Sequence, residues 1–385
     1  MDKYTATYIL KNDLGGISSL IKNLVIYRGI NALPQAIIFL QVDGSSFATF
    51  TGEFVKDIPT TYFNYSVRNN LYHSFKKLKL LTGSDKGVVI SNDVFDLLMF
   101  SCYNIDKKVI QLVHDAYNVK LSVQYEDVVD AFICHSYFYY EVLRQLLPHR
   151  RADINFISYG ISIIKGNRKN RNEELQLVFI GRHDKAKGIY DLFEIDQLLQ
   201  QYHCKVTWLI LGRGPETSGV KAQWGHSANV SFYEAASSSE ITELCLQKDI
   251  LVLPTKFEGF PVAMVEAMSA GCVPVVSNLP GGIRELAADQ KAIICPMDDN
   301  AAFAAAIMNL NNDRLLLHQM STRCREYIAL HHNAVFQSVK YQQLFKEKAV
   351  SPGAPRHHQV NNPIGSRLDQ PFIPNWITKL ARKPR

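Results

Sequence analysis

The 385-residue chain is 47% hydrophobic and 20% charged, a balance that fits a packed globular protein and excludes a disordered or fibrous one. The net charge is +6, but from Ser351 onward six basic residues meet one acid, Asp369, so most of the excess sits in the tail. A nearly neutral body excludes a basic nucleic-acid groove, and the length predicts two domains rather than one core.

In chain order, "ATYIL", "QAIIFLQV", "KGVVIS", "KKVIQLVHD" and "DAFICHS" are apolar runs of strand length, expected to be buried on both faces. Between them, Gly16–Tyr27 places Ile17, Leu20, Ile21 and Leu24 on one helical face, and Val67–Leu81 aligns Val67, Leu71, Phe75 and Leu78. The alternation then restarts. "LQLVFIG", "KVTWLILG", "NVSFYE", "DILVLP", "CVPVVS" and "KAIICP" form a second strand series, and the reading after Leu310 is helical to about Lys348. Strand–helix alternation of this kind predicts parallel, doubly wound sheets. The polar stretch "KGNRKNRNEE" (Lys165–Glu174) marks the boundary, giving domains at 1–165 and 166–348 and a basic, Pro-containing tail at 349–385. The segment "SPGAPRHHQVNNPIGSRLDQPFIP" breaks every pattern and is expected to be extended or mobile.

The seven cysteines are scattered and never spaced as CxxC, so neither a disulfide framework nor a zinc site is expected. Polar residues follow Met1, and no apolar run approaches the roughly 18 residues of a spanning helix. The expectation is a cytoplasmic protein that at most lies peripherally on the inner face of a membrane.

Two such domains put ligands at the carboxyl ends of the strands. In "FIGRHDKAKG", Arg182 and Lys187 follow a strand and precede a helix, as a diphosphate site or as a solvated basic loop. In "FEGFPVAMVEAMSAGCVPVVS", Glu258 stands in a loop with Gly259 and Phe260, whose amides near a helix start can bind an anion. Pro261 suits the first helical position, and Glu266 then falls in the second turn of a half-buried helix. A carboxylate there is costly unless satisfied, and a vicinal diol donating two hydrogen bonds would satisfy it. Complementing the helix dipole is the plainer role for Glu266. "LPGGIREL" supplies a further glycine turn. "LGRGPE" lacks the third glycine of a dinucleotide fingerprint, because Thr217 occupies that place. In the first half, "DLGGIS" puts Gly15 and Gly16 at a helix start, and "QLVHDAY" ends a strand at His114 and Asp115, as a structural or a functional histidine.

Taken together, "GGISSLIKNL", "VIQLVHD", "FIGRHDKAKG", "LILGRGPE" and "EGFPVAMVEAMSAGCVPVVS…GGIREL" resemble the retaining family 4 glycosyltransferases, over roughly residues 1–348. The resemblance implies the GT-B fold: two Rossmann-like, doubly wound α/β domains facing across a cleft. It also implies a hexosyltransferase taking a nucleotide sugar, a UDP-sugar foremost, to a glycan or lipid-linked acceptor in envelope or exopolysaccharide synthesis. By implication Glu266 holds the ribose hydroxyls, Glu258 contacts the donor sugar, and Arg182 and Lys187 neutralise the diphosphate. Gly16, Gly259 and Phe260 assist with the donor, and His114 lies near the transferred sugar. The family usually needs no metal or cofactor, and no D-x-D occurs here. Departures are "SYGIS", with Tyr159 before Gly160, and Arg213 in the "LGRGP" turn. A GT-B nucleotide-sugar epimerase and a non-catalytic sugar-nucleotide-binding protein are the alternatives. The tail "FIPNWITKLARKPR" mixes apolar and basic residues, which predicts either contact with an anionic membrane or packing onto the first domain.

Overall fold

The computed structural model describes residues 4–13, 15–43, 55–83, 85–164, 166, 174–235, 237–351 and 364–382. They form two compact units. The first comprises residues 1–135, 139–160 and 335–385; the second comprises 136–138 and 161–334.

The first unit is built on seven parallel strands: β1 (Thr5–Lys11), β2 (Gln35–Val42), β3 (Thr60–Tyr65), β4 (Gly87–Ser91), β5 (Lys108–Val113), β6 (Ala131–Cys134) and β7 (Ile154–Phe156), in the order β3-β2-β1-β4-β5-β6-β7. β1 lies between β2 and β4, pairing Ile9 with Ile38 and Tyr8 with Ile90. The second unit has six: β8 (Leu175–Ile180), β9 (Val206–Leu211), β10 (Val230–Tyr233), β11 (Ile250–Leu253), β12 (Val273–Ser277) and β13 (Ile293–Cys295), in the order β10-β9-β8-β11-β12-β13. Each sheet starts in its middle and is wound both ways. The order therefore reverses between β1 and β4 in one unit and between β8 and β11 in the other, the places where such sheets bind ligands.

The central strands form because their runs of Val, Ile and Leu are buried on both faces, as β4 and β11 show along their whole lengths. Helices cover them: Phe75 and Leu78 of the Leu71–Leu81 helix and Leu97, Met99 and Phe100 of the Val94–Cys102 helix join the first core. The helix predicted from Val67 begins at Leu71 instead, because the Asn70 side chain caps it by accepting from the Tyr72 amide at 3.0 Å. Val67 is left 61% exposed. The edges β3 and β7 escape the sequence reading, whereas the edges β10 and β13 do not. β3 exposes Thr61, Tyr62 and Asn64, so it lacks a continuous apolar run, and β7 is three residues long.

After Leu310 the chain is helical as expected, in helices Asn300–Asn312, Arg314–His331 and Ala334–Val350. The proposed linker lies outside the described residues apart from Gly166 and Glu174, as do 352–363 of the tail. Beyond them the described chain turns and forms a helix, Asn375–Ala381. Among the described residues no helix is long and apolar enough to cross a membrane.

Candidate functional site

At the switch point of the second sheet, one loop leaves β8 and another leaves β11. Asp184 shapes the first by accepting from the Lys187 amide at 3.0 Å, and it holds Arg182 by a 2.5 Å ion pair. The Arg182 side chain is still 58% exposed. Gly188 follows with φ 68°, and a Cβ there would lie 2.1 Å from the Pro254 carbonyl oxygen, so only glycine lets the two loops meet. The Lys256 amide then donates to the Ala186 carbonyl at 2.8 Å. With the loops joined, Lys187 Nζ reaches Glu258 Oε2 at 2.8 Å and the Phe257 carbonyl at 3.3 Å. Residues expected to contact different parts of a donor are therefore partners of each other. Arg182 and Lys187 both face carboxylates.

Phe260 is buried against His332, with ring centroids 5.8 Å apart. Pro261 is the residue before the first helical position rather than in it, since the helix runs Val262–Ala270. The expected half-buried helix is buried throughout Met264–Ala270. Gly282, from "LPGGIREL", packs on this loop, where a Cβ would come within 2.6 Å of Pro261. Glu285 of the same segment accepts from Ser136 Oγ and the amides of Tyr137 and Phe138 at 2.6–2.9 Å.

Glu266 is 4% exposed and accepts a hydrogen bond from the Ser238 hydroxyl. Burial pushes its pKa up to about 7, and the Ser238 bond pulls the other way. Ser238, 28 residues upstream, carries no sequence signal of this partnership. His183 was equally silent. It is fully buried, its Nδ1 lies 2.9 Å from Thr217 Oγ1, and its Nε2 has no partner among the described residues. Burial and Lys221 lower its pKa to about 4, so it is neutral.

The switch point of the first unit carries the other two candidates. Gly16 opens the Gly16–Ile26 helix, and its carbonyl accepts from the buried Tyr159 hydroxyl. The departure at "SYGIS" is thus a contact to Gly16. His114 follows β5. Its Nε2 lies 3.2 Å from Asn92 Oδ1, and Asn92 Nδ2 donates to the Ile9 carbonyl at 2.8 Å. The amide orientation makes Oδ1 the acceptor, so Nε2 of His114 carries the proton and Nδ1 is an acceptor. His114 stacks on His135 at 4.8 Å, and Tyr159 lies edge-on to His135 at 6.2 Å, linking Gly16 to His114 through two residues that sequence reading passed over. Burial, then His135, holds His114 well below the usual histidine range. His135 is lowered to about 4 by burial, and Tyr341 hydrogen-bonds its Nδ1 at 2.9 Å. Both rings are neutral at pH 7.

Among the described residues no cluster of histidine, cysteine or carboxylate side chains could hold a metal ion. The second unit offers two ion pairs and one buried protonatable carboxylate, and the switch point of the first unit, taken by itself, a neutral histidine. These suit a polyhydroxylated anion more than a small apolar ligand.

Comparison with solved structures decides the architecture. The crystal structure of Anabaena HepE in complex with UDP and glucose superposes over 89% of this chain and 100% of that one, with a TM-score of 0.71 at 15% identity. The fold is GT-B. Residues 161–328 match the family described as Glycosyl transferases group 1, a stretch that contains Arg182, Lys187, Glu258, Gly259, Phe260 and Glu266. Curated relatives include the glycogen synthase of Mycobacterium tuberculosis, 26% identical over 204 residues, covering 51% of this chain and 49% of that protein. Another is the putative colanic acid biosynthesis glycosyltransferase WcaL of Escherichia coli, 30% identical over 154 residues, 37% of this chain and 38% of the relative. The matched stretch spans about half the length of these curated relatives, or less.

Proposed function

We propose that the chain is a retaining hexosyltransferase that moves a sugar from a nucleotide sugar, UDP-linked foremost, to a glycan or lipid-linked acceptor of envelope or exported polysaccharide. One observation carries the reading: within a stretch of group 1 glycosyl transferase type, the Lys187–Glu258 ion pair sits eight residues before a buried Glu266 that has a hydroxyl as its partner. HepE, in complex with UDP and glucose, and WcaL, named for colanic acid biosynthesis, support the donor and the product class.

In this reading a ribose diol takes over from Ser238 on Glu266, and its two hydroxyls stabilise the charged carboxylate as burial alone does not. The diphosphate draws Lys187 from Glu258 and Arg182 from Asp184, exchanging carboxylate partners for phosphate oxygens. Glu258, released, turns to the hydroxyls of the sugar. The amides of Gly259 and Phe260 and the helix start at Gly16 add donors, and His114 lies near the transferred sugar as a neutral hydrogen-bonding group. As the bond from the anomeric carbon to the diphosphate breaks, Arg182 and Lys187 stabilise the departing charge. The acceptor oxygen attacks from the same face and gives its proton to a phosphate oxygen. No protein nucleophile takes part.

The test is nucleotide release from UDP-, GDP- and ADP-sugars with EDTA present, by wild type and Glu266→Ala. Slow release from one donor, reduced at least 100-fold in the variant, is expected. Interconversion of sugars without release would establish an epimerase, and binding of a donor with neither release nor interconversion would leave a non-catalytic sugar-nucleotide-binding protein.

A further inference from the structure

The C-terminal segment is fastened to the first unit by polar groups. Asp369, 1% exposed, accepts from the Leu71 amide at 2.7 Å and is ion-paired with Arg382. Arg382 also donates to the Val67 and Asn69 carbonyls at 2.8 and 2.6 Å. Asn70 donates to the carbonyls of Gln370 and Ile373, each at 2.7 Å, and Arg68 donates to those of Lys379 and Arg382 at 2.8 and 3.0 Å. Because these groups do the fastening, the Asn375–Ala381 helix is docked inside out. Thr378 is fully buried, while Trp376 is 63% and Leu380 77% exposed, and Phe372, in the turn before the helix, is 78% exposed. Trp376 and Leu380 are one turn apart on one face, and Thr378 is on the other. A helix of a soluble domain ordinarily buries the apolar face and exposes the polar one.

An apolar face left outward with an ordered polar attachment is a face for something else. The charges say what. The one acid of the tail, Asp369, is buried and neutralised, Lys379 is exposed on the same helix, and Lys76 and Lys77 are exposed on the helix to which the tail is fastened. A second copy of this chain would bring like charges together. A ring-bearing, basic-flanked face matches the headgroup region of an anionic bilayer. We propose that Phe372, Trp376 and Leu380 seat in the interface of an anionic lipid bilayer, with Lys379 beside the lipid phosphates. The surface alone carries this inference, which stands apart from the transferase reading.

The molecule supplies its own reporter. Of its three tryptophans, Trp208 and Trp224 are 1% and 2% exposed, so Trp376 is the one that can change environment. Full-length protein is mixed with vesicles of phosphatidylcholine alone or with phosphatidylglycerol, and co-sedimentation and tryptophan emission are recorded. Expected are binding to the anionic vesicles that weakens with salt, a blue shift, and quenching by brominated acyl chains. The variant Phe372→Ser/Trp376→Ser/Leu380→Ser changes exposed side chains only and is expected to bind at least tenfold more weakly. It should release nucleotide from a soluble donor as wild type does, so a failed vesicle assay and a failed transferase are told apart. Equal binding of variant and wild type, equal binding to neutral vesicles, or a wild-type dimer without vesicle binding would overturn the proposal.

Discussion

Each unit buries a carboxylate whose pKa is lifted to about 7: Asp96 in the first and Glu266 in the second. Asp96 is fully buried at the start of a helix and accepts from the amides of Asn92 and Asp93 at 3.1 and 3.2 Å, completing a capping box with Asp93. Its oxygens take the amides of its own helix start, and the nearby Ser91 hydroxyl also pulls its pKa down. Glu266 lies in the second turn of its helix, past the free amides, with a serine hydroxyl from elsewhere in the chain. The same burial and the same shift thus belong to a helix-capping residue in one unit and, in the proposed reading, to a ligand-binding residue in the other. The two backbone amides that Asp96 takes, where Glu266 takes a serine hydroxyl, rather than the depth, tell them apart.

The comparison can be broken in three ways. The largest effect is expected at the partner of Lys187. Glu258→Gln removes the competitor for that cation, so UDP affinity rises severalfold by calorimetry while nucleotide release falls about 100-fold, or about 2.7 kcal/mol of barrier. Unchanged affinity and release together would remove Glu258 from the site. Next is Asp96→Ala, which leaves two amides at the helix start unpaired and is expected to cost about 2 kcal/mol in urea unfolding. A loss of activity without a loss of stability would make Asp96 the functional member of the pair.

The smallest effect concerns Glu266→Gln. The folded pKa of Glu266, about 7, lies above its ordinary 4.5, so the native state keeps a proton that the unfolded chain has released. Stability therefore falls as pH rises from about 4.5 to about 7, and above that the cost of the buried charge is present in full. Glutamine removes it. The variant is expected to be more stable by on the order of 1 kcal/mol at pH 8 and equal at pH 4.5, read from thermal midpoints. Asp96, lifted from 3.8 by its own burial, gives the first unit the same sign. A variant no more stable at pH 8 would mean that Glu266 is already satisfied without ligand.

The doubly wound sheets were legible because their central strands are apolar on both faces; the edges β10 and β13 were legible too, whereas β3, which exposes Thr61, Tyr62 and Asn64, and β7, three residues long, were not. Arg182, Lys187, Glu258 and Glu266 stood out because glycine, charge and helix periodicity are local features. Their pairings did not: nothing in the spacing joins Lys187 to Glu258, 71 residues apart, or Ser238 to Glu266. Burial of the Glu266 helix on all sides was also hidden, since a small-residue pattern such as "AMSAG" reads alike on a half-covered and a covered helix. His135, Tyr159 and Tyr341 were passed over because aromatic residues in apolar surroundings look like core, which they also are.

The first unit contains residues from both sides of the second in the chain. Tyr341, hydrogen-bonded to His135, Phe345, edge-on to Tyr8 at 6.2 Å, and Asp369, at the start of the Leu71–Leu81 helix, all come after Ala334. A ribosome working from the N terminus therefore delivers every residue of the second unit before it delivers the ones that close the first. At roughly 5–20 residues per second, residues 161–334 take about 9–35 seconds. During that interval Tyr8 and His135 lack their partners Phe345 and Tyr341, so the earliest-made unit cannot complete its packing until the other has been synthesised in full.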